Sequence, residues 1–379
     1  MRMSKGITPW EFELEHVDYA RIAQEFGLQP MTPELLKRMK KPHRLFARDI
    51  VFAHRDFDRI LNAQESGEQF VVLTGMDPSG GFHFGHKLIA DLMAWYQGQG
   101  IMLYIPVSDI EAHVIRGIDE EMSKQITVNE YILNYLALGV DLVNKDRCCL
   151  YSQWRNDLVR NLSIKAASKI TLSQMYAMYG FNNSDNMGKI FFPFIDAADI
   201  LHPQLPERGG VKPVLVPVGV DQDIHLRLSR DLAPRFGMIK PSSIYTKMMS
   251  SLQGSGTKMS SSKPESAIFL TDSVEVATEK LKNAFTGGRE TIQEQKRIGG
   301  QPERCVVYEF LLFHFEDELL ESTYSRCTSG DLLCGECKAA VSDRIARFLV
   351  EIQRKREEAK LLLPKVFENQ LLWSMRQTA

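Results

Sequence analysis

The chain has 379 residues, of which 44% are hydrophobic and 25% charged, and its net charge is −2. This composition is typical of a globular protein with two or three domains, and the near-neutral charge gives no general indication of nucleic-acid binding. No run reaches the ~18 apolar residues that a membrane helix needs, and residues 1–10 lack the apolar core of a secretory signal. We therefore expect a cytoplasmic protein that does not enter a membrane.

The first segment, residues 1–66, is predicted to be an N-terminal appendage with helices at 34–41 and 48–63. Between residues 34 and 59, eight lysines and arginines outnumber four acids. Such a stretch can bind nucleic acid, because phosphate contacts supply much of the affinity. It can equally be the solvated face of a helix, and both interpretations stay open.

The second segment, residues 67–269, alternates between apolar runs and helical patterns. The predicted strands are 69–74, 101–107, 148–151 and 214–218, and the predicted helices are 84–97, 123–138 and 221–236. A mostly helical insertion lies near 153–205. Strands that alternate with helices are typical of a Rossmann-type parallel sheet, so we predict an α/β domain here.

Strand patterns end after about residue 270. The remaining helical patterns cover 273–285, 303–315, 316–326 and 331–360. The sequence therefore predicts a separate α-helical domain over residues 270–379.

A glycine-rich motif, Thr-Gly-Met-Asp-Pro-Ser-Gly-Gly-Phe-His-Phe-Gly-His, occupies residues 74–86. It joins a predicted strand to a predicted helix, where open α/β sheets bind nucleotides and free N–H groups favour phosphate. A helical start would place His83 and His86 on one face, and Gly85 would leave room for a flat base. The motif lacks the Gly-Lys-Ser/Thr ending of a Walker A loop. The alternatives are a metal-binding histidine pair and two ordinary histidines near a helix end.

A second motif, Gly-Ser-Gly-Thr-Lys-Met-Ser-Ser-Ser-Lys-Pro, occupies residues 254–264. Its small and polar residues predict a mobile loop. Lys258 in such a loop can move onto a polyphosphate, with hydroxyl and N–H groups beside it to hold the phosphate oxygens. The alternative is a flexible linker that carries an incidental lysine.

Together, His83-Phe84-Gly85-His86 and Lys258-Met259-Ser260 resemble the two signatures of class I aminoacyl-tRNA synthetases in order, context and separation. The resemblance covers most of the chain and is to the tryptophanyl type of archaea and eukaryotes. Further similar segments are Ile7-Thr8-Pro9-Trp10, Pro42-His43-Arg44, His54-Arg55-Asp56, Asp221-Gln222-Asp223, Thr257-Lys258-Met259-Ser260 and Ala284-Phe285-Thr286-Gly287-Gly288-Arg289-Glu290-Thr291-Ile292.

The resemblance implies ATP-dependent activation of L-tryptophan and its transfer to tRNA(Trp), with ATP bringing Mg²⁺ and with a homodimer as the assembly. It implies that His83, His86 and Lys258 are catalytic. The implied ATP-binding residues are Thr74, Gly75, His83, Gly85, His86, Lys258, Met259, Ser260 and Ser262. By the same resemblance Glu111 binds the ammonium group of tryptophan, and Gln222 contacts the amino acid. The alternative for each is a helix cap or a surface polar group, and a helix cap is also the alternative for the neighbouring Asp221.

Three positions depart from the family pattern. Leu73 stands where a tyrosine near the indole is frequent, and Pro106 stands where a glutamine is frequent. Ser261 replaces a second lysine found in many class I enzymes, and Lys263 can supply that charge instead. The sequence therefore defines the indole pocket only in part.

Two rival functions remain. Tyrosyl-tRNA synthetases share the fold, and in archaea they identify tyrosine with a Tyr-x-x-x-Gln-x-x-Asp helix. This chain has Phe192, Asp196 and Asp199 at those positions, so two of the three differ. The other rival is an RNA-binding module without catalysis, against which intact His83, His86 and Lys258 argue.

The predicted helical domain begins with two residues that the resemblance assigns to the tRNA anticodon, Arg289 and Glu290. An arginine and a carboxylate can both form hydrogen bonds with base edges. The alternative is that the two residues cap a helix.

Four of the six cysteines, Cys305, Cys327, Cys334 and Cys337, fall within the helical domain with the spacing C-x21-C-x6-C-x2-C. Four thiolates are the ligands of a [4Fe–4S] cluster, whereas structural zinc usually takes two close pairs. Some members of the tryptophanyl family carry a cluster at similarly spaced cysteines. We expect a [4Fe–4S] cluster, with zinc or four reduced, packed thiols as alternatives.

Overall fold

The computed structural model describes residues 18–373, with only the backbone for residues 255 and 256. The segment Ile7-Thr8-Pro9-Trp10 lies outside the described residues. The α-helices are α1 (Tyr19–Phe26), α2 (Pro33–Arg38), α3 (Arg44–Ala47), α4 (Phe57–Ser66), α5 (Phe84–Gly98), α6 (Asp109–Val114), α7 (Glu120–Ile126), α8 (Leu133–Ala137), α9 (Asp157–Ala167), α10 (Leu172–Tyr179), α11 (Met187–Leu201), α12 (Asp223–Leu232), α13 (Val274–Asn283), α14 (Ile292–Ile298), α15 (Val306–His314), α16 (Asp317–Ser329), α17 (Cys334–Ala359) and α18 (Leu363–Asn369). None of the described helices combines the length and the apolar character needed to cross a membrane.

The strands form one large sheet and one hairpin. They are β1 (Gln29–Pro30), β2 (Val51–Arg55), β3 (Val71–Leu73), β4 (Met102–Val107), β5 (Cys148–Ser152), β6 (Val214–Gly219), β7 (Ser242–Thr246), β8 (Ser250–Ser251) and β9 (Gly254–Lys258). The large sheet has the order β1-β2-β7-β6-β3-β4-β5, and β8 pairs with β9.

The five strands from β7 to β5 are parallel. Strand β3 lies between β4 and β6, so the chain reverses its direction of travel across the sheet beside β3. Ligands of open α/β sheets bind at such a switch point, outside the carboxyl ends of the strands. The predicted Rossmann-type α/β domain is confirmed, and so is the helical region that follows it.

Residues 29–55 correct the predicted helix over 48–63. Val51–Arg55 forms strand β2, which pairs antiparallel with β7, and the helix α4 begins only at Phe57. Val51 and Ala53 are fully buried, so the apolar spacing there reflects a core strand. The division into 1–66, 67–269 and 270–379 stays a proposal, and strands β1 and β2 of its first segment belong to the sheet of the second.

The basic excess of residues 34–59 is taken up by ion pairs. Arg38 pairs with Glu65, Arg44 with Asp91, Arg48 with Asp317 and Arg55 with Asp223. Arg48 also donates to three backbone carbonyls at the end of α15, those of Leu311, Leu312 and Phe315. These contacts favour a structural role over a phosphate-binding one.

A return of the chain completes the outer edge of the sheet. The backbone of Leu371 exchanges hydrogen bonds with Leu150 and Ser152 of strand β5. The side chain of Gln370 accepts from Leu150 N and donates to the carbonyls of Leu142 and Cys148. Trp373, only 1% exposed, packs into the core beyond it. Residues 370–373 therefore cover an edge that would otherwise present unpaired backbone groups.

Candidate active site

Two adjoining cavities lie at the carboxyl ends of β3, β4 and β6. The first, which we call the nucleotide cavity, contains His83, Met259 and the serines 260–262 in its lining. The second, which we call the amino-acid cavity, contains Thr74, Gly75, Glu111 and Gln222. The side chains that line both cavities include His86, Arg116, Asp221 and Lys258, together with Gly85. The fold thus brings together all the residues predicted for ATP and tryptophan.

His83 and His86 form a capping pair at the start of α5. The Gly85 N–H donates to Nδ1 of His83 at 3.1 Å, and the His83 N–H donates to Nδ1 of His86 at 3.2 Å. The two rings stack with centroids 3.8 Å apart, as the three-residue spacing predicts. Since each Nδ1 accepts a backbone N–H, the proton of each neutral ring lies on Nε2.

The electrostatic surroundings keep both imidazoles neutral. Burial, assisted by the charge of Lys258, lowers the pKa of His86 to about 3. Burial, His86 and Lys258 together lower the pKa of His83 well below its usual value. The two residues can therefore donate neutral Nε2–H groups to a ligand at physiological pH.

Gly85 also has a structural role that the sequence did not predict. A Cβ there would lie 2.9 Å from the ring of His83. The missing side chain therefore makes room for the histidine that caps the helix. Phe84, the residue before Gly85, packs on Phe310, His314 and Phe348. The helical region therefore holds the start of α5 in place.

Lys258 is placed by a hairpin. Residues 254–258, expected to be a mobile loop, form strand β9, in which Lys258 pairs with Ser250 of β8. Its Nζ lies 2.7 Å from Oδ2 of Asp221, and the Asp221 residue is only 6% exposed. Asp221 thus orients Lys258 between the two cavities, a role that the sequence had left as a possible helix cap.

The serines that follow Lys258 touch the glycine-rich motif. The hydroxyl of Ser261 donates to the carbonyl of Gly81 at 2.8 Å, and a Cβ on Gly80 would lie 2.8 Å from Cβ of Ser261. Ser260 and Ser262 share a hydrogen bond of 2.9 Å. The two signature motifs therefore close against each other at the mouth of the nucleotide cavity.

Arg116 and Asp77 are site residues that the sequence analysis missed. The Arg116 guanidinium donates to Oδ2 of Asp77 at 2.6 Å, and both residues line both cavities. Asp77 belongs to the glycine-rich motif, which was a usable signal. Arg116 follows α6 and has no sequence signal of its own, because only the folded sheet brings it to Asp77.

The amino-acid cavity has an apolar wall and an acidic one. Leu73 and Pro106, the two departures from the family pattern, both line it, as do Asp196 and Asp199 of α11. Asp199 is 1% exposed. Its oxygens accept from Tyr151 Oη at 2.8 Å and from Gln153 Nε2 at 2.6 Å. Burial raises the pKa of both aspartates, so the acidic wall resists carrying two charges.

The side chain of Asp196 is 26% exposed, and its Oδ2 lies 3.5 Å from Nδ1 of His225. The hydroxyl of Tyr179 lies 3.1 Å from the same nitrogen. Asp196 therefore presents a polar group to the cavity at a position where archaeal tyrosyl enzymes have glutamine.

The four cysteines of the helical region line one small cavity, with Gly287 and Tyr308 among its other residues. Two glycines make room for the sulfurs. A Cβ on Gly300 would lie 2.7 Å from Sγ of Cys327, and one on Gly288 would lie 2.7 Å from Sγ of Cys334. Within residues 18–373, no three His, Cys, Asp or Glu side chains are grouped so that they could hold a metal ion.

Arg289 lies beside this cavity. Its backbone N–H donates to Oε1 of Gln295 at 3.0 Å, and its Nε donates to the carbonyl of Gly299 at 2.8 Å. Glu290 is exposed, and the N-cap of α14 is Thr291. Neither Arg289 nor Glu290 is the cap of that helix.

The fold and the site define a nucleotide-dependent enzyme of the Rossmann type. The family model described as "tRNA synthetases class I (W and Y)" matches residues 65–350. The chain therefore belongs to the class I tryptophanyl and tyrosyl tRNA synthetases.

Relatives within this family carry a narrower name. The tryptophan--tRNA ligase of Methanocaldococcus jannaschii is 44% identical over 96% of this chain and 98% of its own. The crystal structure of tryptophanyl-tRNA synthetase from Aeropyrum pernix is similar with a TM-score of 0.85 at 43% identity, covering 93% of this chain and 96% of that one. The tryptophan-bound synthetase of Encephalitozoon cuniculi has a TM-score of 0.81 at 30% identity, covering 90% and 95%.

Proposed function

We propose that the chain activates L-tryptophan with ATP and transfers the tryptophanyl group from the adenylate to tRNA(Trp). The observation that carries this proposal is the pair of adjoining cavities, because His86 and Lys258 line both. A nucleotide in one cavity and an amino acid in the other would meet at these two side chains.

In the first step the tryptophan carboxylate attacks the α-phosphorus of ATP, and pyrophosphate leaves. ATP enters as its magnesium complex, so Mg²⁺ arrives with the substrate. Negative charge spreads over the phosphoryl oxygens and the leaving group, so catalysis depends on positioning and on electrostatic stabilisation.

Three side chains are suited to this task. His83 and His86 donate Nε2–H groups from neutral rings. They can therefore bind phosphoryl oxygens without placing a second positive charge beside Lys258. Lys258 contributes the positive charge that the departing pyrophosphate needs, and Asp221 keeps it oriented until ATP binds. Gly85, Met259, Ser260 and Ser262 line the nucleotide cavity and complete the proposed ATP site there. Thr74 and Gly75, which we also assign to ATP, line the adjoining amino-acid cavity.

Tryptophan would bind in the second cavity. We assign its ammonium group to Glu111, in the first turn of α6, and a further polar contact to Gln222, which precedes α12. Leu73 and Pro106 give the indole an apolar wall. Asp196, which lines the same cavity, offers a carboxyl oxygen that can accept a hydrogen bond from the indole N–H.

In the second step a ribose hydroxyl at the 3′ end of the tRNA attacks the adenylate, and class I membership implies the 2′-hydroxyl. Arg289 and Glu290 are proposed to contact the anticodon. The Nε bond of Arg289 to Gly299 supports this by fixing the base of the guanidinium at the surface of the helical region. On the family resemblance we also propose a homodimer that acts in the cytoplasm.

We further propose that Cys305, Cys327, Cys334 and Cys337 hold a [4Fe–4S] cluster. Support comes from the shared cavity and from Gly288 and Gly300, whose missing side chains accommodate two of the sulfurs. The spacing C-x21-C-x6-C-x2-C contains only one close pair, which makes zinc the less suitable occupant. The cluster would shape the loop that carries Arg289, as its neighbour Gly288 meets Cys334, and would do no redox chemistry.

The test of the main proposal is ATP–pyrophosphate exchange dependent on an added amino acid. We expect exchange with tryptophan and not with tyrosine, because a site built to hydrogen-bond a polar group of its substrate can reject an analogue that lacks this group by ~10⁴–10⁵. Exchange driven by tyrosine at comparable efficiency would make the chain a tyrosyl enzyme. Exchange with neither amino acid would favour an RNA-binding protein without catalysis.

A further inference from the structure

A glutamate of the helical region contacts the hairpin that carries the catalytic lysine. Glu309 lies in α15 and accepts two hydrogen bonds from Ser250, one from its N–H at 2.9 Å and one from its hydroxyl at 2.7 Å. Ser250 is the residue that pairs with Lys258 across the β8–β9 hairpin. Ser250 therefore links Glu309 to Lys258.

Other contacts hold other parts of the hairpin. The Leu252 N–H donates to the Ser266 carbonyl at 2.9 Å, and Met249 and Leu252 are buried in the core. The Leu252 carbonyl accepts the backbone N–H of Phe285 at 2.7 Å, at the turn end. Nε2 of His314 lies 3.1 Å from Sδ of Met249, just before the hairpin. Among the hydrogen bonds of the described residues, the Glu309 pair acts on the residue directly opposite Lys258, and it holds both of the hydrogen atoms that Ser250 can donate.

The chemistry of the carboxyl group makes this contact specific. Burial raises the pKa of Glu309 to about 7, and the two Ser250 bonds act in the opposite direction. A buried carboxyl group is costly unless its hydrogen bonds are satisfied. A purely apolar contact between α15 and the hairpin would pack as well and would avoid that cost, so the polar pair has a use beyond packing.

We propose that Glu309 is a positioning residue for the activation step: by holding Ser250 it fixes the height and direction of Lys258 relative to the phosphates of ATP. This inference rests on the proposed function, since it assumes that Lys258 assists the departure of pyrophosphate. It adds a residue of the helical region to the machinery of the first reaction step.

The kinetic test compares Glu309→Ala with Glu309→Gln. The alanine variant should lower kcat of tryptophan-dependent exchange about 10–100-fold, because displacing a catalytic group by about 1 Å can cost 10²-fold. Its KM for tryptophan should stay unchanged, because the proposed tryptophan contacts Glu111 and Gln222 belong to α6 and to the start of α12 and not to the hairpin. The glutamine variant should recover most of the rate, since its amide can accept from the Ser250 N–H and bond to the hydroxyl.

A merely structural role is separated by a double-mutant cycle. In a Lys258→Ala background, Glu309→Ala should cause no further loss of kcat if it acts through the lysine. Glu321→Ala is the matched control, because Glu321 is an exposed residue in α16 of the same region. Losses that multiply in the double variant, or a wild-type rate in Glu309→Ala, would overturn the proposal.

Amide hydrogen exchange tests whether Glu309 holds the hairpin through Ser250, and this measurement needs no enzymatic activity. Glu309→Ala should speed exchange at Ser250 and across residues 249–259, whereas Glu321→Ala should leave it unchanged. If the unmodified protein shows no tryptophan-dependent exchange of pyrophosphate, the proposed function fails. The amide measurement still decides whether Glu309 holds the hairpin. Unaltered amide exchange in Glu309→Ala would show that Glu309 does not hold the hairpin, even if the enzyme is active.

Discussion

Nζ of Lys258 lies 2.7 Å from Oδ2 of Asp221, a buried carboxylate just after β6. The lysine is 33% exposed at its side chain and faces both cavities. In the free protein, Asp221 is therefore paired with the ammonium group that is proposed to stabilise pyrophosphate. ATP phosphates that enter the nucleotide cavity compete with Asp221 for the same ammonium group.

Lys258→Ala should reduce activation far more than it weakens tryptophan binding. Loss of one electrostatic contact to a developing charge typically costs ~10²–10³ in rate. The measurement is pyrophosphate exchange, with kcat and KM for tryptophan separated. Lys282→Ala, at an exposed helical position, is the control. A Lys258→Ala variant with near wild-type kcat would remove Lys258 from the mechanism.

The histidine pair predicts how stability changes with pH. The pKa of His86 in the folded state is about 3, below its ordinary value of 6.5. As the pH falls below 6.5, the unfolded chain takes up a proton at this residue that the folded chain does not. The contribution of neutral His86 to stability is therefore complete above pH 6.5 and declines as the pH falls towards 3.

Denaturant unfolding at pH 7, 6 and 5 checks this sign. The stability of the wild-type protein should fall faster with acidification than that of His86→Gln, because glutamine takes up no proton. Parallel pH curves for the two proteins would mean that the folded and unfolded chains take up this proton at the same pH, so burial would not be what keeps His86 neutral.

Arg289→Ala should impair aminoacylation of tRNA while leaving amino-acid activation intact. The residue lies in the loop before α14 and does not line either cavity of the proposed active site, and its Nε donates a hydrogen bond to the Gly299 carbonyl. Pyrophosphate exchange and tRNA charging should be measured on the same preparation, with the exposed Arg297→Ala as control. A parallel loss in both steps would show that Arg289 holds the loop together and does not contact the anticodon.

Protein purified without oxygen should be brown and contain about four irons per chain if four thiolates hold one cubane cluster. Cys337→Ser should lose the colour and the iron, whereas Cys149→Ser should keep both, because Cys149 lies in strand β5 outside the cysteine cavity. Colourless, iron-free protein from an anaerobic preparation would leave four packed thiols as the correct interpretation.

Residues whose role follows from a local sequence pattern could be predicted. His83 and His86 follow a strand–loop–helix pattern, and their ring stacking follows from a three-residue spacing at a helix start. The parallel sheet follows from alternating strands and helices. These inferences depend on neighbours within about one helical turn, which a sequence displays directly.

Contacts between distant segments could not be predicted in this way. Asp221 lies 37 residues before Lys258 and resembled a helix cap, and Arg116 lies 39 residues after Asp77. Strand β2 was mistaken for part of a helix, since a short apolar run buried on both faces has no distinctive period. Residues 254–258 were mistaken for part of a mobile loop because small, polar residues give no apolar signal, and the order of their hairpin comes from partners such as Glu309.

The return of residues 370–373 to strand β5 has a consequence for synthesis on the ribosome. The edge strand emerges more than two hundred residues before Gln370 and Leu371, which complete its hydrogen bonding. At 5–20 residues per second this leaves the edge uncovered for roughly 10–40 s. During that interval nascent chains can pair edge to edge, so changes at Gln370 should reduce the yield of folded enzyme more than its specific activity.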